Sequence, residues 1–313
     1  MDPDVRNTLL DELAERAPLL NGEGRVLVAC SGGPDSVALL ALAAHAGHDV
    51  VAAYVDHGLR YDSAADFQIV QAAAETVGVK ARSVWVAVAE GSNLEARARD
   101  ARYAALETMR VTEGASAVLV AHTLDDQAET VLMAVLRGSG LAGLAGMPTV
   151  RDAIVRPLLG LRRAELRQVC AAFGFATVDD PMNHNAAFLR VWVREQLLPM
   201  LSDRTDRDVA PVLARQADLL RADNQFLDQL AADALLAAGS PPRARDLAAL
   251  PLPLLRRAVR LLVGYPRIGG QTVEAALDVV YGARVAVELP AARTLRRSAG
   301  TLRVESTRRP EVA

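Results

Sequence analysis

The feature that most limits how this chain can fold is the stretch Val26-Leu27-Val28-Ala29-Cys30-Ser31-Gly32-Gly33-Pro34-Asp35-Ser36-Val37-Ala38-Leu39-Leu40. A short apolar run, Arg25 to Ala29, stops at Ser31-Gly32-Gly33, and a helical pattern begins at once. That order is a buried strand, a tight turn and a helix N-terminus. The two glycines let backbone come close to a ligand, and Pro34 suits a first helical turn because its missing N–H is not needed there. Free backbone N–H groups and the positive end of the helix dipole then form an anion site, to which Ser31 and Ser36 add hydroxyls. Asp35 is the odd member. A carboxylate beside phosphates repels them unless a divalent cation lies between, so Asp35 reads as a Mg²⁺ ligand. The plainer alternative is an ordinary strand-to-helix turn with a capping Ser and Asp.

Around this stretch the pattern alternates. Strand-like apolar runs recur at 50–55, 81–88 and 117–121, with helical patterns at 35–46, 63–77, 93–110 and 125–137, and an amphipathic helix over 4–20 leads in. Strands alternating with helices predict an α/β fold with a parallel, doubly wound sheet and a ligand crevice at the carboxyl ends of its strands. A helix over 162–173 follows, then the turn-rich stretch 178–185, then a helix opening at Phe188 and running to Pro199. Beyond it lie a long helix over 207–238, a break at Pro241-Pro242, helices over 251–263 and 270–281, and three strand-like runs at 284–289, 293–297 and 301–304. The expected division is a catalytic domain over 1–200 and a mostly helical, basic domain over 201–313 with a small terminal β element.

Chemically loaded residues fall just after the strand-like runs. Tyr54-Val55-Asp56-His57-Gly58-Leu59-Arg60 places His57 and Arg60 at a strand end, where they suit a nucleotide pocket better than a plain loop. Glu95, Arg99 and Arg102 share one helical face, which spacing alone explains as a solvated charged stripe. Asp126 and Glu129 are i, i+3 neighbours in the first turn of another helix; the dipole favours carboxylates there, and a cationic substrate group or a metal would favour them too. Arg137-Gly138-Ser139-Gly140-Leu141-Ala142-Gly143-Leu144-Ala145-Gly146-Met147 reads as a loop able to order over a substrate. Arg190 and Arg194, i and i+4, can grip one anion together.

Composition bounds the rest. The 313 residues are 51% hydrophobic with a net charge of −3, enough for a large core and more than one domain. No apolar run approaches the roughly eighteen residues of a membrane span and no charged-then-apolar leader opens the sequence, so a soluble, cytoplasmic protein is expected. The two cysteines, Cys30 and Cys170, form no C-x-x-C pair. From Ser240 onward 13 Arg stand against 6 Asp plus Glu, a net of +7, which suits a polyanionic partner such as RNA or is merely a basic surface.

The stretch S-G-G-x-D-S after a strand resembles the PP-loop of N-type ATP pyrophosphatases, which cleave ATP between the α and β phosphates and transfer AMP. No Gly-Lys-Ser/Thr follows, so it is not a P-loop. With V-D-H-G-L-R, E-A-x-A-R-x-x-R-Y, A-H-x-x-D-D-Q-A-E-T, R-G-S-G-L-x-G-L-x-G-M, R-P-L-L and D-P-x-N, the chain resembles the tRNA(Ile)-lysidine synthetase family. The resemblance implies a Rossmann-like N-type ATP pyrophosphatase fold and an ATP-dependent ligase joining L-lysine to C2 of the wobble cytidine in a CAU-anticodon tRNA(Ile). It implies that Ser31, Gly32, Gly33, Pro34, Asp35 and Ser36 bind ATP and Mg²⁺, with His57 and Arg60 completing the nucleotide pocket. It further implies that Asp126 and Glu129 serve the metal or the lysine, that Glu95, Arg99 and Arg102 serve substrate or hold the site, and that Arg190 and Arg194 act in catalysis. Val191 stands where the family's R-N-x-x-R commonly has Asn. Oligomeric state is open, with a homodimer as one arrangement. The rivals are a tRNA thiolase, against which the lack of C-x-x-C argues, and a non-catalytic nucleotide sensor or RNA scaffold.

Overall fold

Alternation within one short strand sets both faces of the main sheet. β1 (Arg25–Ala29) sends Val26 and Val28 to one face and Leu27 to the other, the two-residue period of a strand covered on both sides. The computed structural model describes residues 3–20, 24–58, 63–87, 94–178, 188–264 and 268–306. β1 pairs in parallel with β2 (Asp49–Asp56) on one side and β4 (Ala117–Leu119) on the other. β3 (Lys80–Trp85) extends the sheet beyond β2 and β6 (Ile154–Val155) beyond β4, both in parallel. β5 (Val150–Arg151) closes the far edge antiparallel to β6, giving the order β3-β2-β1-β4-β6-β5. Helices α1 (Pro3–Glu15), α2 (Pro34–His45), α3 (Ser63–Thr76) and α7 (Arg163–Phe173) bring Leu10, Leu39, Val70 and Leu166 onto the Val26–Val28 face. On the Leu27 face α4 (Leu94–Thr112) contributes Leu106.

The winding direction reverses beside β1. The chain steps outward from β1 to β2 to β3, and α4 then carries it back to β4 on the other side of β1. A crevice opens at such a reversal, at the carboxyl ends of the strands. One lip is the N-terminus of α2; the other is the N-terminus of α5 (Leu124–Leu136), which follows β4.

The expected doubly wound sheet and the helical region with a terminal β element are both present. Three details differ. β5 and β6 were not anticipated, because two-residue strands are too short to show a period. The glycine-rich stretch is not all loop: it contains a single helical turn, α6 (Leu141–Leu144). The helix expected to end at Pro199 continues. α8 (Leu189–Trp192) passes through a π-helical turn, Val193–Leu197, into α9 (Leu198–Thr205), with Pro199 in the first turn of α9. A widened turn gives the proline ring room that a regular α-helix would deny it.

The chain divides into two compact units, Met1–Leu219 and Leu220–Ala313, the long helix α10 (Val209–Ala237) crossing from one to the other. In the second unit α11 (Ala244–Ala248), α12 (Leu252–Val263) and α13 (Gly270–Tyr281) pack Leu247, Leu255 and Leu277 against Leu295 and Leu302. The latter two lie on an antiparallel sheet of β7 (Ala286–Leu289), β8 (Arg293–Ser298) and β9 (Thr301–Ser306). Much of this unit's positive charge is tied down. Arg256, Arg257, Arg284 and Arg296 pair with Glu274, Asp228, Asp278 and Glu305, while Arg297 donates to the Val280 carbonyl. Among the described residues no helix is long and apolar enough to cross a membrane.

Leu166 has no exposed surface and joins α7 to the core beneath α2. Leu166→Ala is expected to lower unfolding free energy by about 2–5 kcal/mol, read from the urea midpoint at unchanged m-value.

Candidate active site

The turn between β1 and α2 is held by its own hydroxyls. Ser36 Oγ donates to the Gly33 carbonyl at 2.8 Å and accepts from the Ser31 N–H at 3.2 Å, so Ser36 braces the loop. Gly33 is the N-cap of α2 and no side chain caps it; Pro34, the first helical residue, has no N–H, and the Ser36 N–H turns back to the Gly33 carbonyl at 3.1 Å, so the Asp35 N–H is the first-turn amide left toward a ligand. Gly32 has φ +81°, and a Cβ there would lie 2.7 Å from Val178 Cγ2, while its carbonyl accepts from the Val178 N–H at 2.9 Å. Only glycine fits.

Asp35, on the first turn of α2, is largely buried. Burial pushes its carboxyl up to about 6, more than the nearby Arg163 guanidinium can offset, and Asp126 adds to the rise. Its Oδ1 is buried with no hydrogen-bond partner among the described residues. A bound cation would satisfy that oxygen, and Mg²⁺ characteristically takes one or two carboxylates together with phosphate oxygens. The residues present fit such a role.

Across the crevice, α5 opens with a capping box. Asp126 Oδ2 accepts from both the N–H and the hydroxyl of Thr123, each at 2.9 Å, and the Asp126 N–H returns to Thr123 Oγ1. This leaves Oδ1 for arginines: Arg163 Nη2 at 2.8 Å and Arg190 Nη2 at 3.2 Å. Glu129, one turn on, has no exposed surface, and its oxygens accept from Arg163 (3.2 Å), Arg190 (2.7 Å) and Arg194 (2.7 and 3.3 Å). Burial alone would lift the Asp126 carboxyl, but Arg163, Arg190 and the Thr123 N–H hold it down to about 2. Both carboxylates are therefore occupied, and what they present to the crevice is arginine.

Arg163 is the residue that sequence reasoning missed. Its Nε lies 3.4 Å from Asp35 Oδ2, while its Nη2 holds Asp126 and Glu129, so it spans the two lips. The three carboxylates hold its charge firmly, against the effect of burial. It is the first residue of α7, where the helix dipole disfavours a cation, and that misfit was the signal available in the sequence. Asp125 answers it by accepting from the Arg163 N–H at 2.8 Å. Gln127 was also unremarked: its amide pairs with both the N–H and the carbonyl of Met147, at 2.7 and 2.9 Å. A Cβ on Gly146 would fall 2.6 Å from Gln127 Oε1, so the end of the glycine-rich stretch is clamped to α5 rather than left free to close.

The other expected residues gather on the remaining wall. His57 follows β2, and burial with the nearby Arg102 charge keeps its imidazole below the ordinary range. Arg99 and Arg102 lie over the Tyr103 ring at 5.2 and 5.9 Å. His122, after β4, is pushed down to about 4 chiefly by burial; Asp126 opposes the shift, and Arg156, Arg190 and Arg99 add to it. Arg60 and the side chain of Glu95 lie outside the described residues.

The PP-loop domain family matches residues 3–201. The chain is 45% identical over 259 residues to the tRNA(Ile)-lysidine synthase of Nocardia farcinica, covering 82% of this chain and 79% of that one. It is 46% identical over 245 residues to the enzyme of the same name from Mycolicibacterium paratuberculosis, covering 77% and 75%. Among solved structures, the U34-tRNA thiolase NcsA from Methanococcus maripaludis matches with a TM-score of 0.56 at 16% identity, over 69% of this chain and 80% of that one, a likeness of fold.

Two substitutions separate the two kinds of carboxylate. Asp35→Asn removes a buried charge that the folded state supports poorly, so at pH 7.5 it should raise the melting temperature while abolishing activity. Because the folded value of about 6 lies above the ordinary 3.8, the gain is full above pH 6 and disappears as pH falls from 6 toward 4. Glu129→Gln leaves arginines without their buried partner and should cost about 3–5 kcal/mol in urea denaturation.

Proposed function

Because this chain belongs to the tRNA(Ile)-lysidine synthase family and carries its PP-loop domain, we propose how its residues divide the work of joining lysine to tRNA(Ile). The protein is an ATP-dependent ligase that forms lysidine at a wobble cytidine. The observation that carries the division is Arg163, which touches Asp35 of the phosphate loop and the Asp126–Glu129 pair at once.

ATP would lie with its phosphates on the Ser31-Gly32-Gly33 turn and the α2 N-terminus, its base toward His57. Mg²⁺ held by Asp35 would supply charge neutralisation for the triphosphate. The C2 oxygen of the cytosine attacks the α-phosphorus, and the bond to pyrophosphate breaks with its electron pair on the leaving oxygen. Negative charge grows on the α-phosphate oxygens in that transition state. Arg163, Arg190 and Arg194, fixed in advance by two buried carboxylates, are placed to receive it, which makes them catalytic residues and Asp126 and Glu129 positioning residues. In the second step the ε-nitrogen of lysine bonds to C2, the C2–O bond breaks with its electrons on AMP, and the surplus amine proton passes to water. Glycine-rich backbone clamped by Gln127, and the Arg99–Arg102 face, would border the extruded base. The second unit, with its excess of arginine, would hold the rest of a CAU-anticodon tRNA, and a tRNA acceptor suits a cytoplasmic enzyme.

Two alternatives fare worse. Thiolases deliver sulfur through cysteine pairs or clusters, whereas Cys30 and Cys170 are both buried and burial raises both thiols above their ordinary range. A non-catalytic sensor would have no use for three arginines converging beside a phosphate loop.

Radiolabelled lysine, ATP and Mg²⁺ should label a CAU-anticodon tRNA(Ile) transcript and not a methionine tRNA, and Asp35→Ala should abolish the label. Pyrophosphate release without label would retain adenylation and reject lysine as the second substrate.

A further inference from the structure

A second group of arginines stands on the α4 side of the crevice, and it is built unlike the first. Arg99 and Arg102 lie over the Tyr103 ring, and Arg156, the residue after β6, lies against the same side chain. We propose that Arg99, Arg102 and Arg156 grip a backbone phosphate of the RNA acceptor, one of the two that flank the extruded wobble nucleotide. The proposal rests on the lysine-joining reading above.

Three observations lead there. First, the protein does not answer this charge. Arg163, Arg190 and Arg194 close on Asp126 and Glu129, whereas none of Arg99, Arg102 and Arg156 pairs with a carboxylate among the described residues. Arg156 is only 2% exposed. Its Nη1 donates to the Pro148 carbonyl at 2.9 Å, but its Nε is buried with no hydrogen-bond partner among the described residues. Burial pushes the Arg102 and Arg156 guanidinium groups below their ordinary range, and the Tyr103 phenol only opposes that shift. A covered cation in this state is costly until an anion reaches it.

Second, the group sits where the phosphates of ATP do not. Tyr103 packs on the Leu27 face of the sheet, while α2, which carries the phosphate loop, covers the Val26–Val28 face. The charges of Arg99 and Arg156 act on His122 after β4, and that of Arg102 acts on His57 after β2, so all three arginines border the carboxyl ends of the strands. An RNA loop that delivers a base to this crevice brings a phosphate on each side of it. Third, exposure is graded: Arg99 is exposed, Arg102 half-buried and Arg156 buried. A phosphate moving inward meets one guanidinium after another, and stacking on Tyr103 engages the faces of the outer two while leaving their N–H edges for oxygen.

CAU-anticodon tRNA(Ile) transcripts with one uncharged methylphosphonate linkage, 5′ or 3′ of the wobble cytidine, test the assignment in initial rates of lysine incorporation. Arg102→Met should raise KM for the unmodified transcript about tenfold, with KM for ATP and for lysine within about twofold. The slope of log KM against log salt should fall by about 0.7. One of the two modified transcripts should show the same loss with wild-type enzyme and lose nothing further with Arg102→Met. Arg156→Lys, which keeps the charge but not the buried Nε, should raise KM for RNA and leave the salt slope as in wild type. Removing an unanswered charge relieves the fold, so Arg102→Met should not lower the melting temperature; a merely structural role lowers it and leaves KM for RNA unchanged. Losses that add in full for both linkages, or a rise in KM for ATP or lysine instead of RNA, overturn the assignment. Filter binding of the same transcripts without lysine repeats the comparison. Enzyme that binds them but attaches no lysine rejects the lysine-joining reading, and the binding ratios still decide the phosphate site.

Discussion

Glu129 carries a charge with no exposed surface, and the site is arranged so that this charge can exist. Removing a carboxylate from water costs several kcal/mol, and only close, well-directed partners offset it. Arg163, Arg190 and Arg194 are those partners, and they come from three segments: the start of α7, α8 and the π-helical turn. Ion pairing at one buried point thus gathers elements that are distant along the chain. Buried ion pairs seldom add net stability over apolar packing, so the arrangement makes most sense for what it does to the arginines. Their side chains lose their rotational freedom during folding, before any phosphate arrives.

Asp35 is treated in the opposite way. It shares Arg163 with two stronger competitors, its contact is the longest of the three, and one of its oxygens has no partner among the described residues. One carboxylate is satisfied by protein and the other only in part, within reach of the same guanidinium. Separating the environments of neighbouring carboxylates is how a fold assigns them different tasks at one pH. Arg163 joins the two lips of the crevice, touching Asp35 on one and Asp126 and Glu129 on the other.

Much of this was legible in one dimension because the causes are local. The strand–turn–helix around Ser31-Gly32-Gly33 follows from glycine's backbone freedom and proline's place in a first helical turn, and the alternation of periods predicts a parallel sheet. β5 and β6 were invisible because paired dipeptides have no period. Pro199 was misread as a stop because the π-helical turn that accommodates it is not written in helix propensity. Gln127 looked like any helical glutamine until Met147 and Gly146, far along the chain, were placed against it.

By itself, then, the sequence determined the phosphate loop, the order of elements and the motifs that mark the family, since each depends on residues within a turn or two of one another. Only the tertiary structure decided which charges meet. Arg163 stands thirty-four positions from Glu129 and lies 3.2 Å away in space. Asp126 and Glu129, which spacing presents as a free acidic pair, turn out to be fully engaged. The reason is physical: backbone preferences are short-ranged, whereas the desolvation of a buried charge is settled by whatever packing brings within hydrogen-bond reach.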